Sequence, residues 1–384
     1  MNWEDTIVEA SASDTGMRRA NNQDSYSVVR ASSRESWKMH GHLFMVADGM
    51  GAHAAGELAS KMACDNIPHN YRKSKTGTPA ENLTKAYREV GGQIHAKATA
   101  NRDFQGMGTT CSTLVLLPAG ALIAHVGDSR VYRIRKNRID QLSFDHSLVW
   151  ELIRRNHLSP DQAGKTVPRN VITRSLGPDP TVEVDIEGPI PIETGDVFLL
   201  CSDGLSGPVT DDEIGVIAGS FHPETACRFL ISLANLRGGQ DNITAVICRI
   251  GPWVEPEFPN STAVDGSQDK KAGRGSLFSS LLGSLKGRQA APPFEEKIYQ
   301  TFECPVDLPF LGRMADLLRN AQANGVDQAW RADWAALAAH RKKAEEFRQT
   351  GDFRSALGQL GEAIDILGQA ARVHKIESVS NGSS

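Results

Sequence analysis

Apolar residues along this chain follow two rhythms that alternate between residues 5 and 250. Short apolar runs or period-two alternations at 26–29, 43–47, 112–117, 121–126, 131–134, 182–186, 197–201 and 243–250 predict strands, because such runs bounded by turn residues suit a buried or half-buried sheet. Apolar positions recurring every three or four residues at 56–66, 79–100, 148–156, 211–218 and 223–236 predict helices. Two helical segments between early strands, then a run of adjacent strands, fit an α+β sandwich better than regular βαβ alternation.

The pattern breaks after residue 251. Residues 252–293 are rich in Pro, Gly, Ser and Lys, too poor in apolar surface to fold alone, and read as a flexible linker. Within them Leu277, Leu281, Leu282 and Leu285 have helical spacing beside basic residues. So short a piece, carrying two glycines, reads as a sticky patch of linker, with a partner- or membrane-surface helix as the alternative. Residues 294–384 form a helical tail. Its end places two helices around Gly351-Asp352-Phe353 and resembles one tetratricopeptide unit through Ala356, Leu360 and Ala363. Such repeats normally stack in threes or more, so a hairpin packing on its own neighbours is the competing reading.

Composition narrows the function. A net charge of −4 with dispersed Lys and Arg argues against a nucleic-acid partner. The six cysteines are widely spaced, and Cys201 and Cys248 sit inside apolar strand runs, which argues against a disulfide framework. The N-terminus lacks a leader pattern and no apolar stretch reaches the roughly 20 residues of a membrane span. A soluble, cytoplasmic protein is expected.

Acidic residues carry the chemistry. Three apolar runs end on an aspartate beside glycine: Asp48-Gly49, Gly127-Asp128 and Asp203-Gly204, and a fourth aspartate, Asp241, precedes the run at 243–250. One Asp-Gly pair is an ordinary turn. Repetition at successive strand edges suggests carboxylates gathered at one end of a sheet, where mutual repulsion calls for a cation. With no Cys-x-x-Cys pair and no His-Glu-x-x-His helix, hard oxygen ligands favour magnesium or manganese over zinc.

Read in order, "DTGMRRANNQDS", "VADGMGAHAAGE", "GMGTTCSTLVL", "HVGDSRVYRIR", "DHS", "NVITRSLG", "LLCSDGLSGPVTDDEI" and "GGQDNITAVICRI" closely resemble the metal-dependent protein phosphatases of type 2C in their bacterial form. The resemblance spans about residues 7–250. It implies a central antiparallel β-sandwich flanked by helices, a catalytic domain over 1–251, and hydrolysis of phosphoserine and phosphothreonine in proteins by a metal-bridging hydroxide. By resemblance, Asp48 bridges two Mn2+ or Mg2+ ions, Gly49 offers its carbonyl, Asp24 binds the second metal, and Asp203 and Asp241 bind the first. Asp128 with Asp203 corresponds to a third, weaker site, and Arg19 to the arginine that binds substrate phosphate. Phosphorylated proteins and Ser/Thr kinases are the implied partners, and the tail could recruit a protein or cover the active site.

Two departures bear on the chemistry. Met50 stands where several members carry a His proposed as general acid. His53 in the same turn, with an ordinary pKa near 6.5, is the replacement candidate. Ala52 replaces a glycine, and a positive φ there would strain it. Residues 145–177 correspond to a flap beside the site. Two other functions compete with a phosphoprotein phosphatase: a two-metal hydrolase of small phosphate esters, and a non-catalytic platform acting through its tail. Loss of a metal carboxylate would favour the platform, and none is missing.

Overall fold

The computed structural model describes residues 6–52, 54–154, 171–253 and 299–381. The linker segment around Leu277–Leu285, the middle of the flap and His53 therefore lie outside the described residues. Alternation within the strands fixes the layers. In β3 (His42–Met50), Leu43, Met45 and Ala47 face one apolar cluster while Phe44 and Val46 face another. In β10 (Val197–Cys201), Leu199 and Cys201 turn to a third cluster, and Phe198 and Leu200 meet Phe44 and Val46. Strands buried on both faces are the interior of a layered sandwich.

One sheet runs in the order β1 (Ile7–Asp14), β11 (Ile243–Ile250), β10, β7 (Arg130–Arg135), β8 (Arg138–Gln141), β12 (Gln300–Glu303). The other runs β2 (Asp24–Val29), β3, β5 (Cys111–Leu117), β6 (Gly120–Val126), β9 (Asp185–Ile190), with β4 (Gly108–Thr109) on the end of β3. Pairing is antiparallel throughout these ladders. Helices α2 (Ala55–Lys73) and α3 (Pro79–Ala100) cover the second sheet. Helix α3 starts at a capping box, the Thr78 hydroxyl accepting from Glu81 N–H at 3.2 Å and Glu81 accepting from Thr78 N–H at 2.8 Å. Helices α6 (Asp211–Ser220) and α7 (Pro223–Leu236) cover the first sheet. Shorter helices are α1 (Arg34–His40), α4 (Leu148–Arg154) and α5 (Asp203–Ser206).

Most expected elements are present, with instructive shifts. Helix α2 continues through Pro68 to Lys73, well past the expected end at residue 66. The strand expected at 182–186 is Asp185–Ile190, because Val182 and Val184 pack on the helix layer instead. All six cysteines are free and buried. No described helix is long and apolar enough to cross a membrane.

The tail is built into the sandwich. Strand β12 adds to β8, and α8 (Leu308–Asp327), α9 (Trp334–Gln349) and α10 (Phe353–Asn381) follow. The expected hairpin is α9–α10, turning at Gly351 with φ +80. Phe310, Met314, Leu318, Leu357, Ile364 and Leu367 share one cluster with Leu199, Ile214, Phe229 and Leu230. At Gly361 a Cβ would stand 2.9 Å from the Phe229 ring, so glycine is what lets α10 lie directly on α7. Beside it Ser232 donates to Asp365 at 2.8 Å and Arg228 pairs with Asp365 at 3.0 Å. Because the two regions share a core, Ile364→Ala at a fully buried seam should cost about 2–5 kcal/mol. Urea unfolding should show one transition shifted as a whole; a separate tail transition carrying the entire loss would contradict the shared core.

Candidate functional site

The acidic residues converge where the two sheets end. Asp24 opens β2 and stands directly opposite Asp48 on β3, an arrangement that places like charges on neighbouring strands. Asp48 does not end its strand, since β4 pairs Thr109 with Gly49 and Gly108 with Met50. Backbone clamps hold it: Asp48 N–H donates to the Thr110 hydroxyl at 2.9 Å, and Asp48 C=O accepts from Thr110 N–H and the Thr109 hydroxyl, both at 2.9 Å. Asp128 follows β6, Asp203 opens α5 and Asp241 precedes β11.

The glycines beside these acids are there for close approach. A Cβ on Gly49 would meet the Gly56 carbonyl at 2.1 Å, and one on Gly204 would meet the Asn242 carbonyl at 2.0 Å. Any side chain would push α2 off β3, or α5 off the turn that carries Asp241. At Ala52 the relaxed alternative holds: positive φ falls on Gly51, at +145, and Ala52 is not among the positive-φ residues.

Electrostatically the cluster is one unit. Burial, then Asp203 and Asp241, push the Asp24 carboxyl up to about 7, against hydrogen bonds from Thr244 at 2.6 Å and Ser202 at 2.7 Å. Asp128 is also pushed up to about 7, by burial and then by Asp203 and Asp145. Asp48 is held well above the carboxylate range by burial and by Asp24, Asp203, Asp128 and Asp241 together. Asp203 is raised by burial and then by Asp241, against the nearby Arg19 guanidinium. Arg19 donates to Asp241 at 2.7 Å, and its guanidinium pKa is raised chiefly by that bond.

The structure thus brings Arg19, Asp24, Asp48, Gly49, Asp128, Asp203 and Asp241 to one end of the sandwich. Among the described residues, no three His, Cys, Asp or Glu groups close around one point as a finished ion cage. The donor set nevertheless fits hard divalent cations. Asp24 Oδ1, Asp128 Oδ1 and Asp203 Oδ1 are buried without a hydrogen-bond partner, an arrangement that costs free energy unless a ligand fills it.

Sequence reasoning missed the residues that hold this arrangement. Asn242 accepts from Gln23 N–H at 2.8 Å and donates to the carbonyls of Thr15 at 3.0 Å and Asn21 at 2.9 Å, tying the Arg19 loop to the turn of Asp241. Its adjacency to Asp241 was the available signal. At the root of the flap, His146 accepts from Gly127 N–H at 3.0 Å and returns a backbone N–H to the Gly127 carbonyl at 2.7 Å. The flap is thereby joined to the residue preceding Asp128.

A carboxyl whose pKa is higher folded than unfolded holds its proton more tightly when folded. Its site is therefore unstrained below about pH 4, and it opposes folding as pH rises toward 7. In chelator, Asp128→Asn, which cannot ionise, should gain thermal stability relative to the parent across that interval. Melting curves at stepped pH would show the gap widening; a constant gap would refute the coupled-cluster account.

Comparison with known proteins places these features in context. Residues 17–236 match the family described as Protein phosphatase 2C. Serine/threonine phosphatase stp of Listeria welshimeri is 37% identical over 240 residues, covering 61% of this chain and 92% of that protein. Protein phosphatase PhpP of Streptococcus pneumoniae is 36% identical over 243 residues, 61% of this chain and 94% of its own. The crystal structure of the Mycobacterium tuberculosis serine/threonine phosphatase PstP/Ppp superposes with a TM-score of 0.57 at 32% identity, over 64% of this chain and 99% of that one. A structure of the PstP catalytic domain in complex with two manganese ions gives 0.54 at 31%, over 64% and 98% of the two chains.

Proposed function

We propose a division of labour at the acidic cluster of this chain, which belongs to the protein phosphatase 2C family and is a metal-dependent protein-serine/threonine phosphatase. Catalysis is assigned to residues 1–251. Asp24, Asp48, Asp203 and Asp241, with the Gly49 carbonyl, hold two divalent cations, manganese or magnesium, and Asp128 with Asp203 holds a third more loosely. The observation that carries this reading is the set of five aspartates gathered at one end of the sandwich, three of which keep a buried, unpartnered oxygen. Bound cations would supply positive charge against the phosphoryl oxygens and lower the pKa of a water.

The protein's own groups then do the positioning. Arg19, half-exposed and beside Asp241, can turn its planar fork to two phosphate oxygens, which a lysine could not match. His53 is the candidate proton donor to the leaving alkoxide, a role that Met50 cannot fill. Ser202 and Thr244 aim Asp24 by hydrogen bonds to Oδ2, leaving Oδ1 free to bind a cation. The substrates are phosphorylated proteins, with Ser/Thr kinases as the opposing activity. A non-catalytic platform would have no need for the full carboxylate set, so the intact set favours turnover.

The decisive assay is phosphate release from a phosphothreonine peptide by the full chain. Release should require manganese or magnesium, stop in chelator, and fall by about 100-fold or more in Asp203→Asn, a loss of transition-state stabilisation of the size seen for key charge-stabilising groups. Undiminished release by a folded Asp203→Asn protein would overturn the metal assignment.

A further inference from the structure

The last turns of α10 reach back to the loop that carries Arg19. Lys375 Nζ donates to the carbonyl of Gly16 at 2.8 Å and to that of Arg19 at 3.1 Å. One helical turn earlier, Arg372 ion-pairs with Asp14, a carboxylate only 2% exposed whose Oδ1 accepts from Gly16 N–H at 2.8 Å. On its opposite side the loop is pinned to the catalytic unit, Met17 and Arg18 N–H donating to the Gly239 carbonyl at 2.7 and 3.1 Å. The loop is therefore suspended between the turn before Asp241 and the C-terminal helix.

Helix α10 is a stiff support for such a contact. Asp365 fastens it to α7 through Ser232 and Arg228, and the ten residues from there to Lys375 rise by about 15 Å. Arg19 is long and half-exposed, so where its fork ends up depends on where its backbone starts. A carbonyl accepting a charged donor at the arginine itself fixes that starting point.

The geometry points to Lys375, supported by Arg372, as a positioning residue for the phosphate-binding arginine, which makes the tail helix part of the substrate-binding apparatus. This rests on the reading of Arg19 as the phosphate ligand. Lys375 touches neither substrate nor the acidic cluster; it acts through the Arg19 backbone. Its loss should weaken capture of a phosphoryl group while leaving the chemical step alone, because the carboxylates are held by other bonds.

The test uses the full chain at saturating manganese, with a phosphothreonine peptide as substrate and inorganic phosphate as competing ligand. Lys375→Met should raise KM and the inhibition constant of phosphate together, by about three- to tenfold, as expected for losing a charge-assisted hydrogen bond. The kcat should stay within about twofold, and Lys375→Arg should restore parental KM. A parental KM in folded Lys375→Met overturns the proposal. So does an equal loss in kcat and thermal stability that Lys375→Arg shares. Should Lys375→Met not fold, Arg372→Met takes its place: a joint rise in KM and the phosphate inhibition constant supports the proposal, and parental values overturn it. Arg19→Ala is the control: if it leaves KM and phosphate inhibition unchanged, the Arg19 reading itself fails and the proposal falls with it. If Arg19→Ala raises both while Lys375→Met does not, only the positioning role fails.

Discussion

Repulsion among carboxylates that the fold refuses to separate governs this molecule. Asp24 and Asp48 face each other across an antiparallel ladder, and Asp203 lies close enough to help raise both carboxyls. In water such groups would part, but here each is anchored through its own backbone to an element that cannot move alone. Thr110 clamps Asp48, and Asn242 couples the turn of Asp241 to the Arg19 loop. Burial first, and then the neighbouring acids, raise the Asp24 and Asp128 carboxyls. A cation is the natural relief for that tension, which is why metal binding and local stability are linked here.

The scaffold can sustain this because its strands are buried on both faces. Phe44, Val46, Phe198, Leu200 and Val246 fill the space between the sheets, and helices seal both outer faces. The seal over the first sheet has a second storey: α10 covers α7, α8 packs on α10 and pairs Arg313 with Asp212 of α6, and β12 extends the sheet edge. Removing the tail would uncover Phe229, a buried side chain whose ring lies against Gly361. The tail is for that reason a structural layer as well as an appendage.

Elements with strong periodicity were legible in the sequence. The stretches 79–100, 197–201, 223–236 and 243–250 coincide with α3, β10, α7 and β11, each having a face that must be apolar whatever its partner. Strands β1 and β12 were not legible: "IVEASASD" and "QTFE" alternate weakly because they lie toward or at the sheet edge, with one face partly open. The acids were legible through repetition of Asp beside Gly, and the close backbone approach at Gly49 and Gly204 is the physical reason for that repetition. Their supports Asn242, Ser202, Thr244 and Thr110 act by orientation over distances of dozens to hundreds of residues, which leaves no periodic trace. The docking of the tail was hidden for a similar reason. An amphipathic helix shows the same stripe whether it faces its own hairpin or a sheet's helix layer.

That ambiguity has a functional side. The family match spans residues 17–236, and the helices from 308 onward lie beyond it. An added layer could have docked anywhere on the outer face. It lies instead along α7 and ends at the Arg19 loop, a segment of the site held from two sides by different parts of the chain. Asp24 and Asp48 are locked by strand pairing and have little freedom to be adjusted. A loop suspended by hydrogen bonds from a helix has more. A displacement of α10 therefore reaches the Arg19 loop directly, through Lys375 on the Gly16 and Arg19 carbonyls, whereas the paired strands that carry Asp24 and Asp48 are held independently of it.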